Sequence, residues 1–415
     1  MLAYSPPLPL IIDFYLTNGE KDFTAKDEEG LILALEKRDR VRRVRLLLPF
    51  PRLQKIIPAI DEEYPVLEYL IIGPSPQDNS TELMLPERFQ APRLCHLLLK
   101  GFALPVESRL LMAAMGLVTL TLIFDHYPSY FLPSGLLQWL SFMPQLETFR
   151  INFLSPVCDD DVERQLMQMP TMTHLTLPSL HKFVFQGSSA YVGALAPWLS
   201  TPHLEELVID FYHLAYSVPP FLQLTGITEN LRFDSVKLEF DFSKKRVFVG
   251  MYLREEVETY ALSMFVYYRH LDWLVSFLAH IFNSLSQILS AVEHLTFEHK
   301  LPGRPSEEHT EVDRSEWRRL LMSFTNVKTL CVNGWLVKEL SRCLRLENGE
   351  DPLELLPKLQ ELTYWGPILG GGHARDGLIS FTDARQNAGC PVTLMRRRYL
   401  KIWPLKPFVP PTNIS

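Results

Sequence analysis

Few residues in this chain have the types and spacing that chemistry requires. The densest carboxylate run, Asp159–Asp160–Asp161, could hold a cation. Acids at the start of a helix also meet its positive end, and a helix over Asp159–Met167 explains the run with no ion. His294 and His299 flank one extended segment with no third ligand nearby, so they read as structural histidines. Gly370–Gly371–Gly372–His373 lacks the Lys–Ser/Thr ending of a phosphate-binding loop and reads as a turn. Cys95, Cys158, Cys331, Cys343 and Cys390 are odd in number and have neither metal-ligand nor disulfide spacing. No nucleophile elbow, glycine-rich phosphate loop or paired-histidine zinc helix occurs in the sequence. The expectation is a non-enzyme with no catalytic, cofactor-binding or metal-ligating residues and no cofactor.

Recognition chemistry is better represented. Arg38, Arg40, Arg42, Arg43 and Arg45 crowd one segment, and Arg396–Arg397–Arg398 another. Either cluster could take phosphate or an acidic partner. A solvated face paired with Glu36, Asp39 or other nearby acids is the simpler account. Lys401, Pro404 and Pro407 fit the spacing of a polyproline-domain ligand, a short pattern that often arises by chance.

The elements that must position these residues announce themselves by repetition. A phrase of apolar, two residues, apolar, one residue, apolar runs from Val41–Val44–Leu46 through Leu67–Leu70–Ile72, Leu94–Leu97–Leu99 and Leu117–Leu120–Leu122. It continues at Leu146–Phe149–Ile151, Met172–Leu175–Leu177, Leu204–Leu207–Ile209 and Phe233–Val236–Leu238. Val292–Leu295–Phe297, Val327–Leu330–Val332 and Leu359–Leu362–Tyr364 close the series. The usual interval is about 28 residues, enough for a strand, a helix and two turns, with one interval of 59 that reads as two periods with a phrase lost. The last two apolar residues alternate, so both lie on one face of a strand. Pro65, Pro92, Pro144, Pro170, Pro202 and Pro357 each stand two residues ahead of a phrase, where proline would end the preceding helix.

Between phrases the period turns helical, over Asp27–Lys37, Leu53–Glu62 and Ser134–Met143, the last with Ser134 as its cap. Strand–helix alternation predicts an α/β fold with a curved parallel sheet on the concave side and helices on the convex side. One solenoid is expected over 1–400, with residues 1–40 as an N-terminal cap that includes a strand over Leu8–Leu16.

Residues 233–292 depart from the pattern. VKLEFDFSKKRVFVGMYL alternates on both sides of Ser243–Lys244–Lys245, which predicts an antiparallel hairpin. A long amphipathic helix over Tyr260–Val292 is expected next; Arg269, His270, Asp272, His280 and Asn283 make it too polar to span a membrane. Leu301–Asp313 reads as a surface loop, and the proline-rich tail 401–415 as extended and disordered.

Composition agrees with a folded soluble protein. Of 415 residues, 47% are hydrophobic and 21% charged, and the net charge of −7 argues against a dedicated nucleic-acid binder. Scattered free cysteines favour a reducing compartment, cytoplasm or nucleus. No basic leader precedes the apolar N-terminus, so no signal peptide is read there.

Residues interleaved with the buried strand positions would line the concave face. Those chosen as partner-binding candidates are Arg43, Arg45, Tyr69, His96, Thr121, Arg150, His174, Glu206, Glu298, Glu361 and Trp365. They run from arginines near the N-terminus to acids near the C-terminus, which suits a protein partner of mixed charge. A monomer is expected.

The phrase resembles the leucine-rich repeat over residues 41 to 366. It departs where that family usually places Asn or Cys, at Pro49, Ser75, Phe102, Asp125 and Leu154, so irregular loops are expected. SPPLPLIIDFYL, DEEGLILALEKRDRVRRVRL, AIDEEYPVLEYLIIGP, LPERFQAPRLCHLLLKGFALP and KRVFVGMYL are similar to fungal, mushroom-type F-box leucine-rich-repeat proteins. In that family an F-box docks on the Skp adaptor of a cullin ubiquitin ligase, and the repeats choose the substrate. The resemblance implies the substrate-binding part of such a receptor. SPPLPLII would follow an F-box, and no Leu-Pro-rich three-helix segment precedes it, so adaptor docking is not expected of this chain alone. The alternative is a stand-alone repeat scaffold or inhibitor with no ubiquitin link.

Overall fold

The computed structural model describes residues 8–15, 24–75, 83–124, 132–154, 173–213, 231–254, 259–267, 271–300, 313–347, 349–365 and 373–397. The helix expected over Asp159–Met167, the glycine cluster 370–372, the loop 301–312 and the tail 401–415 lie outside these residues, as does Cys158. The chain forms two compact α/β units, Met1–Leu204 and Glu205–Ser415.

The first unit is built from the recurring phrase. Its described strands are β1 (Leu10–Tyr15), β2 (Val41–Leu48), β3 (Tyr69–Pro74), β4 (Leu83–Met84), β5 (His96–Lys100) and β6 (Phe102–Ala103). β7 (Thr119–Phe124), β8 (Thr148–Phe153), β9 (Leu175–Thr176), β10 (Lys182–Ser188) and β11 (Leu199–Ser200) follow. The main sheet runs β1-β2-β3-β5-β7-β8-β10 with every pairing parallel. Two-stranded ladders β4–β6 and β9–β11 stand beside it.

Register follows the phrase. Val44, Leu70, Leu97, Leu120 and Phe149 stand side by side, and Leu46, Ile72, Leu99, Leu122 and Ile151 form the next row. All ten are buried. At about 1.5–3 kcal/mol per buried side chain, such rows supply most of the unit's cohesion. Helices α1 (Ala25–Leu35), α2 (Phe50–Ile56), α3 (Arg109–Ala113), α4 (Pro133–Leu140) and α5 (Ser189–Leu195) connect the strands. α1 begins with a capping box in which Thr24 and Asp27 bond each other's backbone N–H groups.

Five of the six prolines act through turns rather than by ending helices; Pro170 lies outside the described residues. The N–H of Leu67 bonds to the carbonyl of Tyr64, Leu94 to Ala91, Leu146 to Met143, Leu204 to Thr201 and Leu359 to Leu356. Each pair closes a four-residue turn with Pro65, Pro92, Pro144, Pro202 or Pro357 at its second position, where proline's fixed φ fits. The first apolar residue of a phrase is therefore the last residue of a turn.

Two local expectations change in this unit. Ser134 does not cap α4; Pro133 occupies the first helical turn, and Leu132 precedes it without a side-chain cap bond. The Leu175–Leu177 part of the sixth phrase gives only the short β9, and the main-sheet strand comes later, as β10. Pro178 follows at once and lacks the N–H that a longer ladder needs, whereas KFVFQ has the aromatic and β-branched residues that strands favour.

The second unit contains β12 (Glu206–His213), β13 (Ser235–Asp241), β14 (Arg246–Tyr252), β15 (Leu262–Tyr267), β16 (His294–His299), β17 (Thr329–Asn333), β18 (Glu361–Trp365) and β19 (Thr393–Arg396). Its helices are α6 (Leu271–Ser284), α7 (Ser286–Leu289), α8 (Arg314–Met322), α9 (Leu336–Leu344) and α10 (His373–Asn387). The sheet order is β12-β15-β14-β13-β16-β17-β18-β19. β14 is antiparallel to both neighbours and the other pairings are parallel.

The hairpin therefore forms as expected, with Lys245 at φ 47 in its turn. The long helix is shorter than expected, because Leu262–Tyr267 is a strand and the helical stretch begins at Leu271. LSMFVY is a continuous apolar run with aromatic and β-branched residues, and between two strands both its faces are buried. No described helix is long and apolar enough to cross a membrane.

Candidate partner-binding faces

In each unit one side of the sheet buries the phrase residues and the other carries the interleaved positions. In the first unit this interleaved face shows Arg43 and Arg45 on β2, Tyr69 and Ile71 on β3, and His96 and Leu98 on β5. Thr119 and Thr121 on β7 and Thr148 and Arg150 on β8 continue it. The guanidinium of Arg43 lies over the Tyr69 ring, 4.3 Å from its centroid. The Tyr69 and His96 rings are 5.7 Å apart in turn. Tyr69 thus gives the arginine a cation–π platform. Arg45 stands in register between Asp13 and Ile71.

His174 departs from its expected position. It is exposed in the segment ahead of β9, outside the main sheet, and packs against Trp198 with ring centroids 5.4 Å apart. Its phrase yields only the short strand, so the alternation that should have aimed it at the sheet face does not hold there.

In the second unit, Glu206 lies on β12, Glu298 on β16, and Glu361 and Trp365 on β18. The Thr363 hydroxyl donates to the Glu361 carboxylate at 2.8 Å. His294 shares a 2.6 Å hydrogen bond with the Thr329 hydroxyl, and the Arg254 guanidinium lies 3.3 Å from the ring. Burial first and then the Arg254 charge press the His294 pKa below its ordinary value.

The densest chemistry on this face comes from residues that the repeat pattern did not single out. Lys237 Nζ lies 2.7 Å from Glu298 and 3.3 Å from Glu239, and Lys300 reaches Glu239 at 3.1 Å. Burial alone would lower the Lys237 pKa, but the two carboxylates outweigh it and hold the ammonium above its usual range. Beside it Tyr260 packs edge-on against Phe248 and Tyr252, at 5.1 and 5.4 Å between centroids. Phe265 adjoins Phe248 at 4.9 Å, and the Arg246 guanidinium lies 5.4 Å above the Phe265 ring. Burial pushes the Tyr260 hydroxyl up to about 12.

Gly250 makes room for Tyr260. A Cβ at that position would stand 2.4 Å from Tyr260 Cε1, closer than atoms pack. The hairpin pattern carried this signal, since residues Lys237, Glu239, Phe248, Gly250 and Tyr252 share one face by alternation. Tyr260 was hidden by the expected helix.

No protein-family model matches the chain, and no curated protein is significantly similar to it.

The carboxylates hold the Lys237 pKa above its usual range, and burial first, then Glu361, raises the Cys331 thiol; both shifts run against nucleophilic reactivity. Among the described residues, no three His, Cys, Asp or Glu side chains are arranged to hold a metal ion.

Proposed function

We propose that the chain is a non-enzymatic protein-recognition module, a leucine-rich-repeat solenoid that works in the cytoplasm or nucleus. In this reading it is the substrate-binding part of an F-box-type ubiquitin-ligase receptor, and a protein partner docks on the interleaved faces of its sheets. The observation that carries the reading is the register of the first unit. Repeated strands hold Val44, Leu70, Leu97, Leu120 and Phe149 in one buried row, while the adjacent positions Arg43, Tyr69, His96, Thr119 and Thr148 carry four residue types on a common backbone frame. A constant core beneath a variable face suits selection of a partner. The cation–π stack and the Lys237–Glu298–Glu239 group are preorganised, which lowers the entropy lost on binding.

The test replaces Arg43, Arg45 and Arg150 together by Glu. Circular dichroism verifies folding, and quantitative affinity capture compares partners with wild type. Loss of the wild-type partner set is the expected result; unchanged capture by a folded variant would refute the reading. Co-purification of the Skp adaptor with the longest in-frame polypeptide tests the ubiquitin link. Its absence leaves a stand-alone scaffold.

A further inference from the structure

The open side of β2, β3 and β5 has an unusual composition. Its nine positions are Arg43, Arg45, Leu47, Tyr69, Ile71, Gly73, His96, Leu98 and Lys100, with two arginines, a lysine, a histidine and no carboxylate. Within this patch the Arg43–Tyr69–His96 row is the most ordered feature. The guanidinium lies over the Tyr69 ring and that ring lies against His96 across adjacent strands, and the buried Arg43 Nε donates to no partner among the described residues. A guanidinium fixed over an aromatic ring presents two N–H groups in the fork geometry of a carboxylate. Ile71 and Leu98 lie one row further along the strands and give an apolar floor beside the charged row.

We propose that this patch binds an acidic peptide segment of a partner protein in extended form. One carboxylate pairs with Arg43, and neighbouring apolar side chains rest on Ile71 and Leu98. The proposal rests on the recognition reading above and adds the partner's chemistry to it. The argument is charge complementarity: the cations of the patch, with Asp13 beside Arg45 at its β1 edge, favour an anionic segment both in encounter and in register. An extended peptide alternates its side chains, so acidic and apolar residues in alternation match the charged row and the apolar row. In the second unit, by contrast, Glu239 and Glu298 are already paired with Lys237 and Lys300.

The test uses the full chain and a fluorescein-labelled peptide of about ten residues alternating Glu and Leu, followed by fluorescence anisotropy. A control peptide carries Gln in place of Glu. The acidic peptide should bind and the Gln peptide should bind at least tenfold more weakly. Arg43→Gln should weaken binding about tenfold, and Tyr69→Leu should weaken it as well, because the guanidinium loses its platform. Equal binding of the two peptides, no effect of Arg43→Gln, or tighter Arg43-dependent binding of a single-stranded oligonucleotide or an anionic vesicle would each overturn the proposal. Partner capture with Arg43→Gln and with Glu361→Lys separates it from the wider reading. Capture lost only with Glu361→Lys would reject the acidic peptide but keep recognition by the sheet faces. Capture unaffected by either variant rejects both.

Discussion

Gly250→Ala should unseat Tyr260. The backbone at residue 250 is not among the glycines with positive φ, so alanine is not excluded by conformation. Taken alone, alanine in a strand is better than glycine by roughly 0.5–1 kcal/mol. The obstacle is steric: the new Cβ would lie 2.4 and 2.6 Å from Tyr260 Cε1 and Cδ1, and 2.9 Å from Phe248 Cε1. Overpacking of this kind costs about 1–3 kcal/mol. If the Tyr260 ring swings away instead, it gives up two edge-on ring contacts, each about 0.5–1.5 kcal/mol beyond area burial. Either route gives a net loss of about 0–2.5 kcal/mol once the backbone gain is subtracted. Hydrogen exchange of the amides of β13–β15 reports the opening of this part of the sheet. The decisive comparison repeats Gly250→Ala in a Tyr260→Ala background, where the substitution should become neutral or stabilising. An equal loss in both backgrounds would refute the account, because the cost would then not come from Tyr260. Alkaline titration supplies a second reading: the Tyr260 hydroxyl, held up to about 12 by burial, should titrate closer to an ordinary tyrosine in Gly250→Ala.

Two further outcomes are expected. Arg385 is 1% exposed, and its guanidinium donates to the carbonyls of Pro352, Leu355, Leu356, Pro357 and Leu359, bracing a loop in which Leu356 has φ 50. Arg385→Met should lower stability by about 1–3 kcal/mol, the cost of leaving buried carbonyls without a donor, and Arg385→Lys should recover less than half of it, because an ammonium cannot span the carbonyls as a fork does; thermal unfolding that places the lysine variant level with wild type would contradict this. Hydrogen bonds from Arg314 first, with the Glu347 N–H and Arg318 aiding, hold the Glu350 carboxyl down at about 2. Its folded pKa lies below the unfolded value of about 4.3, so its stabilising effect is full above that pH and fades as pH falls towards 2. The deficit in Tm of Glu350→Gln should therefore shrink between pH 4.5 and 2, and a deficit unchanged at the acid end would refute the pairing.

The strands and their inward faces were legible because the phrase couples period-2 alternation to a fixed lead-in, and both signals are local. Leu67, Leu94, Leu146, Leu204 and Leu359 were correctly singled out as lead-in residues, although their turn chemistry was read as helix termination. Proline serves both roles, and only the hydrogen bond from three residues later distinguishes them. Candidates such as Arg43, Tyr69, Thr121 and Glu361 followed from alternation and lie on the faces it assigns. His174 did not, because Pro178 shortens its strand, an effect that outweighs the apolar pattern. Arg385 carried no signal at all: a single arginine in a helix shows nothing of the five carbonyls that the fold brings around it.

The interval of 59 residues has a topological cause. After β12 the chain does not lay its next strand alongside; β13 stands three places away, and β14 and β15 return to fill the gap. β15 then abuts β12 while the following strand, β16, must pair with β13. The connection from β15 to β16 must therefore cross three strand spacings, about 14 Å at 4.8 Å each. The same order explains the aromatic cluster. Because β14 runs against its neighbours, Phe248, Gly250 and Tyr252 fall opposite Glu239, Lys237 and Ser235, with Phe265 and Ser263 on the other side. A parallel repeat in that place would have carried another turn and helix. The meander instead brings Tyr260, just ahead of β15, against β14, where glycine leaves the space for its ring. The break in periodicity and the most crowded group on the second unit's open face are therefore one event in the chain's path.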